Sequence, residues 1–188
     1  MIEDKPLRLF VAAGVPPREL AWLADQTVSL RERWPEARWA PIDNQHVTLK
    51  FLGSTLLGAL DEVVAACAAV AASAEPSEIA LSGLGVFPTP RRARVLWAGF
   101  DDPRRTLAGL AAGLDDRLGP LGFVAEKRSF TPHLTLARFR APTRVEDLPP
   151  LPPARPFHLG AFGLWRSHLS PRGARYEQLQ SFALGDAT

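Results

Sequence analysis

Cysteine is almost absent: Cys67 is the one thiol in 188 residues, which excludes an intramolecular disulfide and any cysteine-based metal site. It lies in an Ala/Val-rich helical run, where a buried, unreactive thiol is expected. Lysine occurs only at positions 5, 50 and 127, so positive charge rests almost wholly on arginine, whose planar guanidinium suits bidentate contact with phosphate. The formal net charge of +2 is too small for a surface that coats DNA, although it is compatible with a local basic cleft. No run approaches the roughly 18 apolar residues of a membrane span. Near the N-terminus the charged Glu3-Asp4-Lys5 precedes a short strand-like run where a signal peptide would carry its apolar stretch. Both features point to a cytoplasmic protein without a membrane partner. There is no His-Glu-x-x-His word and no Gly-rich phosphate loop ending in Lys-Ser/Thr, and the histidines lack metal-ligand spacing. Zinc-hydrolase chemistry and ATP-consuming ligation are thereby disfavoured, and neither metal nor cofactor is expected.

What the chain does have is apolar material, 46% of its residues, enough for one core or for one domain of two similar lobes. Residues 7–13 read as a strand, stopped by Gly14-Val15-Pro16-Pro17. Leu20, Leu23, Thr27, Leu30 and Trp34 then recur at spacings of three and four, which predicts one amphipathic helix ended by Pro35. A strand over 46–52 is closed by Gly53, and an Ala-rich helix follows over 56–73. Two strands are predicted at 78–87 and 93–100, then a helix begun by Asp101-Asp102-Pro103 with Leu107, Leu110, Ala111, Leu114 and Leu118 as its stripe. A strand covers 133–139. The proline-rich stretch 141–156 reads as a surface connection with a turn of helix at 144–148. Two last strands, 157–167 and 174–184, flank the turn Ser170-Pro171-Arg172-Gly173.

Only four histidines are present, and two of them open the same word: His46-Val47-Thr48-Leu49 and His133-Leu134-Thr135-Leu136. From composition alone that coincidence arises in about 1 in 3,500 shuffles. Arg8-Leu9-Phe10 and Arg94-Val95-Leu96-Trp97 precede the two words at nearly equal distances, so one supersecondary unit is duplicated. Packed about an approximate twofold axis, the halves bring His46 and His133 across a shared groove.

Side chains alternate along a strand, which puts His46, Thr48 and Lys50 on one face and Val47, Leu49 and Phe51 on the other. His133 and Thr135 oppose Leu134 and Leu136 in the same way. Leu7, Leu9 and Val11 go inward, and Arg8 and Phe10 go with the histidines. Strict alternation sends Arg138 to the face opposite His133 unless a bulge or strand end intervenes near Ala137. Two imidazoles across a groove supply an acid and a base near neutral pH, and Thr hydroxyls and arginine can bind phosphate oxygens. That combination suits metal-free phosphodiester chemistry. Trp39 is a further candidate for the groove wall, and His168, near Arg172 and Arg175, for its rim. His158 carries no such word and reads as structural or exposed.

These words resemble the 2H phosphoesterase superfamily, and within it the RNA 2′,3′-cyclic phosphodiesterase branch, historically called 2′-5′ RNA ligase. The resemblance rests on Arg8 to Ala12, Asn44 to Gly53, Arg94 to Gly99, Phe130 to Arg138, and a Leu164…Ser167…Gly173…Tyr176 pattern. It implies an α+β, bilobal fold: two pseudo-twofold-related lobes of antiparallel sheet flanked by helices, with a central cleft, in one domain over 1–188. It implies opening of a 2′,3′-cyclic phosphate on an RNA end or small cyclic nucleotide to leave a 2′-phosphomonoester. In that scheme His46 is the general acid at the leaving 3′ oxygen and His133 the base that activates water. Thr48 and Thr135 hold the phosphate, with Arg8 and Arg138 as further phosphate candidates. Phe10 is either a stacking surface for a nucleobase or a packed core ring. The competing readings are an RNA- or nucleotide-binding module with vestigial activity, and reversible 2′-5′ ligation of RNA. Internal symmetry makes a monomer sufficient.

Overall fold

The computed structural model describes residues 6–170 and 173–185. Glu3-Asp4-Lys5 and the centre of the 170–173 turn, Pro171-Arg172, lie outside the described residues. In chain order the elements are β1 (Leu7–Gly14), α1 (Pro17–Gln26), α2 (Val28–Arg33), β2 (Arg38–Trp39), β3 (His46–Thr55), α3 (Leu60–Ala72), β4 (Ser77–Phe87) and β5 (Ala93–Asp101). They continue with α4 (Thr106–Leu118), β6 (Leu134–Thr143), β7 (Phe157–Leu159), β8 (Ala161–Ser170) and β9 (Gly173–Ala183).

The strands form one sheet in the order β7-β4-β5-β6-β3-β1-β8-β9, with β2 attached to β6. The order is symmetric about the β6/β3 contact, so each histidine word lies on an innermost strand with its preceding strand, β5 or β1, beside it. The lobes are interleaved rather than sequential. The β8–β9 hairpin crosses back to pair with β1, while β7 pairs with β4. At the junction β3 and β6 meet antiparallel through Val47 and Leu134. Both are fully buried, beside Leu49, Leu96, Leu136 and the apolar stripes of α3 and α4.

Several expectations need correction. The amphipathic stretch after Pro17 is two helices rather than one. Thr27 Oγ1 donates to the Leu23 carbonyl (2.9 Å), while its backbone N–H is shared between Leu23 and Ala24, and the helix breaks at this side-chain-bonded position. β3 runs past Gly53 to Thr55, because Gly53 takes φ +70 inside the strand, a conformation glycine adopts without penalty. No helical turn forms at 144–148; β6 extends to Thr143, and the Val145 N–H donates to the Pro90 carbonyl (2.8 Å). The predicted strand 157–167 is two strands, divided at Gly160, because its two parts pair with opposite lobes. Helix α4 starts where expected in chemistry if not in residue: the Asp102 carboxylate accepts the N–H groups of Thr106 and Leu107 (both 2.9 Å).

The departure from strict alternation that shapes the cleft sits inside the two words. Val11 pairs with Lys50 but Ala12 with Thr48, leaving Leu49 as the extra residue of a bulge. Leu96 pairs with Ala137 but Trp97 with Thr135, leaving Leu136 extra in the same position of the second word. A bulge puts two consecutive side chains toward one face and inverts the parity beyond it. Leu49 and Lys50 are therefore both buried, as are Leu136 and Ala137. Lys50 does not share the face of His46; it reaches the helix side, where its ammonium pairs with Asp115 of α4. Phe51 moves in the opposite sense and comes out on the histidine face, 55% exposed. Arg138 does the same in the second lobe.

Candidate active site

With Val47 opposite Leu134 and both in the core, their strand neighbours project to the other face. The antiparallel register sets Thr48 across from His133 and His46 across from Thr135. Four polar side chains thus make a square with the imidazoles on one diagonal and the hydroxyls on the other. They line a cavity of about 440 Å³ together with Arg8, Phe10, Arg38, Phe51, Arg138 and Tyr176 among others.

Both rings are held by the same device. His46 Nδ1 donates to the Asn44 carbonyl (2.9 Å), and His133 Nδ1 donates to the Thr131 carbonyl (2.9 Å). A carbonyl only accepts, so Nδ1 keeps its proton in each ring and Nε2 is the nitrogen that gains and loses one. His46 Nε2 lies 3.1 Å from Thr48 Oγ1; the hydroxyl donates while the imidazole is neutral. Asn44 is itself anchored, since its side-chain amide donates to the Ala174 carbonyl of β9 (2.9 Å). The N-terminal word is thereby tied to the C-terminal hairpin.

Aromatic rings back each imidazole. Phe10 lies 4.9 Å from His46 and Tyr176 lies edge-on at 5.1 Å, while Trp165 stacks beyond Phe10 at 6.4 Å. Around His133 the same positions fall to Phe87, edge-on at 5.0 Å, and Trp97 at 6.3 Å. Enclosure by apolar rings disfavours the charged form of an imidazole. Burial lowers the His46 pKa to about 4, against partial relief from the Asn44 hydrogen bond and with a further push from His133. His133 is also lowered, first by burial; the Thr131 bond opposes this, Arg138 adds to it, and Glu126 opposes it.

The Trp97 ring covers Gly85, where an added Cβ would collide with its Cζ2 and Cη2. Gly85→Ala is therefore expected to displace the indole and destabilise the fold by about 1–3 kcal/mol, the usual cost of overpacking. Chemical denaturation of the two proteins measures it; an unchanged midpoint would mean that Trp97 is not fixed there.

Phe10 lines the cavity but is 4% exposed, with one neighbour in His46 and another in Trp165, so its contact is with the imidazole. Arg8 and Arg138 are exposed at the cavity wall. Trp39 also lines it, its indole N–H donating to the Trp34 carbonyl (3.1 Å). His168 turns away to Glu177 (2.7 Å) while its neighbours Ser167 and Leu169 face the cavity, and His158 bonds Glu78 at the surface. Cys67 is fully buried, its thiol pushed up to about 12 by desolvation. Sequence reasoning gave no role to Arg38 or Phe87, put Phe51 on the opposite face, and named Tyr176 only as part of the family pattern.

The sequence profile of the 2′-5′ RNA ligase superfamily matches residues 23–170. The chain belongs to that superfamily. Its similarity to curated members runs over most of its length. It is 32% identical over 162 residues to an RNA 2′,3′-cyclic phosphodiesterase of Methanothermobacter thermautotrophicus, covering 83% of this chain and 87% of that one. A Thermus thermophilus protein of the same name is 32% identical over 184 residues, 95% of this chain and 90% of the relative. Among solved structures, a Thermus thermophilus crystal structure superposes with a TM-score of 0.81 at 30% identity, covering 97% of this chain and all of the other. E. coli LigT complexed with 3′-AMP superposes with a TM-score of 0.78 at 26% identity, again over 97% and 100% of the two chains. The α+β, two-lobed fold is that of these relatives.

Proposed function

We propose that the chain hydrolyses RNA 2′,3′-cyclic phosphate ends, or small cyclic nucleotides, to 2′-phosphomonoesters by two-histidine acid/base catalysis without a metal ion. The observation that carries this reading is the square of His46, Thr48, His133 and Thr135 on one face, both imidazoles pinned at Nδ1. Each leaves Nε2 to the same cavity. A cyclic phosphate seated between them has an acid on one side and a base on the other, the geometry that in-line displacement needs. The His133 Nε2 takes a proton from water as the water oxygen bonds to phosphorus. The P–O3′ bond breaks and His46 Nε2 gives its proton to the departing 3′ oxygen. Thr48 and Thr135 donate to the non-bridging oxygens, and Arg138 and Arg8 offset their negative charge. The assignment of acid to His46 and base to His133 follows the family resemblance.

Among the described residues no three His, Cys, Asp or Glu side chains cluster in a way that could hold an ion. No described helix is long and apolar enough to cross a membrane. All the proposed catalytic groups come from one chain, so a monomer suffices, and the domain 1–188 acts as one unit. Ligation, with an RNA hydroxyl attacking in place of water, would use the same residues in the same roles, and cleavage of the resulting 2′-5′ linkage would run them in reverse.

The test is a turnover assay on a nucleoside 2′,3′-cyclic phosphate in excess EDTA, with the product followed by ³¹P NMR. The 2′-phosphate is expected, at a rate EDTA leaves unchanged. A 3′-phosphate would reverse the regiochemistry, and activity abolished by EDTA would remove the metal-free mechanism.

A further inference from the structure

Arg38 and Arg138 are direct register partners across the β2–β6 ladder. Like charges placed opposite each other on adjacent strands are unfavourable. Among the described residues neither is ion-paired, and both line the cavity that holds the two histidines. β2 is only two residues long, yet it is held in place: the Ala40 N–H donates to the Leu136 carbonyl (2.8 Å), and the Trp39 indole is tied to Trp34. The register thus sets two arginines opposite each other at the cleft wall, and among the described residues no carboxylate stands within ion-pair distance to relieve them. A bound anion would.

The position of the pair says which anion. β6 contacts β3 at Leu134 and then, four residues on, carries Arg138 against β2. Arg138 lies three residues beyond Thr135, roughly 10 Å along an extended strand at about 3.3 Å per residue, and Arg38 stands one strand further out. Arg138 can therefore reach toward the catalytic phosphate while Arg38 faces the space next to it. The Arg38 fork matches the two non-bridging oxygens of a neighbouring phosphodiester, and Arg138 between the two phosphates adds its charge to both.

We propose that Arg38, with Arg138, forms a second phosphate subsite that takes the 5′-phosphate of the terminal nucleotide, so that the enzyme prefers RNA chain ends to isolated nucleoside 2′,3′-cyclic phosphates. This rests on the hydrolase reading above and narrows its substrate. The same chemistry would take a phosphomonoester or a phosphodiester at that position.

Three substrates separate the possibilities: a nucleoside 2′,3′-cyclic phosphate, the same compound bearing a 5′-phosphate, and a dinucleotide ending in the cyclic phosphate. kcat/KM is measured for wild type, Arg38→Gln and Arg38→Lys over a range of KCl concentrations. Wild type should favour both substrates that carry a 5′-phosphate. In Arg38→Gln that preference should shrink about tenfold, as expected for loss of a hydrogen bond to a charged group. The salt slope for the dinucleotide should become shallower by about 0.7, the value for one phosphate contact on a single strand. Arg38→Lys should keep the slope, since the charge remains. Hydrolysis with no preference for a 5′-phosphate, or an unaltered ratio and slope in Arg38→Gln, would overturn the subsite alone. A preference for the dinucleotide without one for the 5′-phosphorylated mononucleotide would also overturn it, transferring the effect to the second nucleoside. Wild-type protein inert toward all three would overturn the hydrolase reading and the subsite with it.

Discussion

His133→Ala and His46→Ala should each lower kcat/KM for a 2′,3′-cyclic phosphate by about 10² to 10⁴, the range for removal of a positioned general acid or base. The two losses should not add in the double variant, because acid and base act on one transition state. Neither substitution is expected to unfold the protein. Each ring touches its neighbours on the cleft side of the sheet, while the core beneath is made by Val47, Leu49, Leu134 and Leu136. Loss of the imidazole also removes a group that the folded state holds at a lowered pKa. Circular dichroism and thermal melts check the fold while initial rates check the chemistry. Either variant retaining full turnover in a folded state would remove its histidine from the mechanism.

The pH dependence is the second large effect. Reaction needs one proton shared between two imidazoles, and kcat/KM reports their pKa values in the free enzyme. Both lie below the ordinary histidine value of 6.5, His46 at about 4. The kcat/KM optimum is therefore expected below pH 6.5, with a loss of about tenfold per pH unit once both rings are neutral. A bound phosphate anion favours the charged imidazoles and lifts both pKa values, so the kcat profile should lie at higher pH. His46, the acid by resemblance, is strongly depressed by burial, so it must gain its proton as the anionic substrate binds. The same shifts set a stability trend. A histidine whose pKa is lower folded than unfolded takes up more protons in the unfolded chain, so stability falls as pH drops from about 6.5 toward 4. His46→Asn should flatten that fall. A kcat optimum at lower pH than that of kcat/KM would contradict the electrostatic account.

The two words and their alternation made much of this legible. Val and Leu at alternate positions marked the core face, His and Thr the cleft face, and the duplicated strand before each word implied the twofold arrangement. Alternation failed at the next residue. Leu49 and Leu136 are bulged, and no local signal distinguishes them from any other leucine in a strand. Their consequence is large: Lys50 is sent to Asp115 on the helix side, and Phe51 and Arg138 are brought into the cleft. The break at Thr27 was hidden because a threonine fits a helical stripe as well as it bonds the backbone that ends one. The return of β8–β9 to the first lobe is a long-range pairing that no short pattern encodes, and with it came Tyr176 beside His46. Arg38 escaped notice for a similar reason. Its meaning lies in a partner a hundred residues away.

The most direct test of the central claim, that the two histidines flank one phosphate, is a crystal structure of the protein with inorganic phosphate bound. The anion is expected between His46 Nε2 and His133 Nε2, accepting hydrogen bonds from Thr48 Oγ1 and Thr135 Oγ1. Phosphate bound elsewhere, with the cleft between the two imidazoles occupied by water alone, would contradict it.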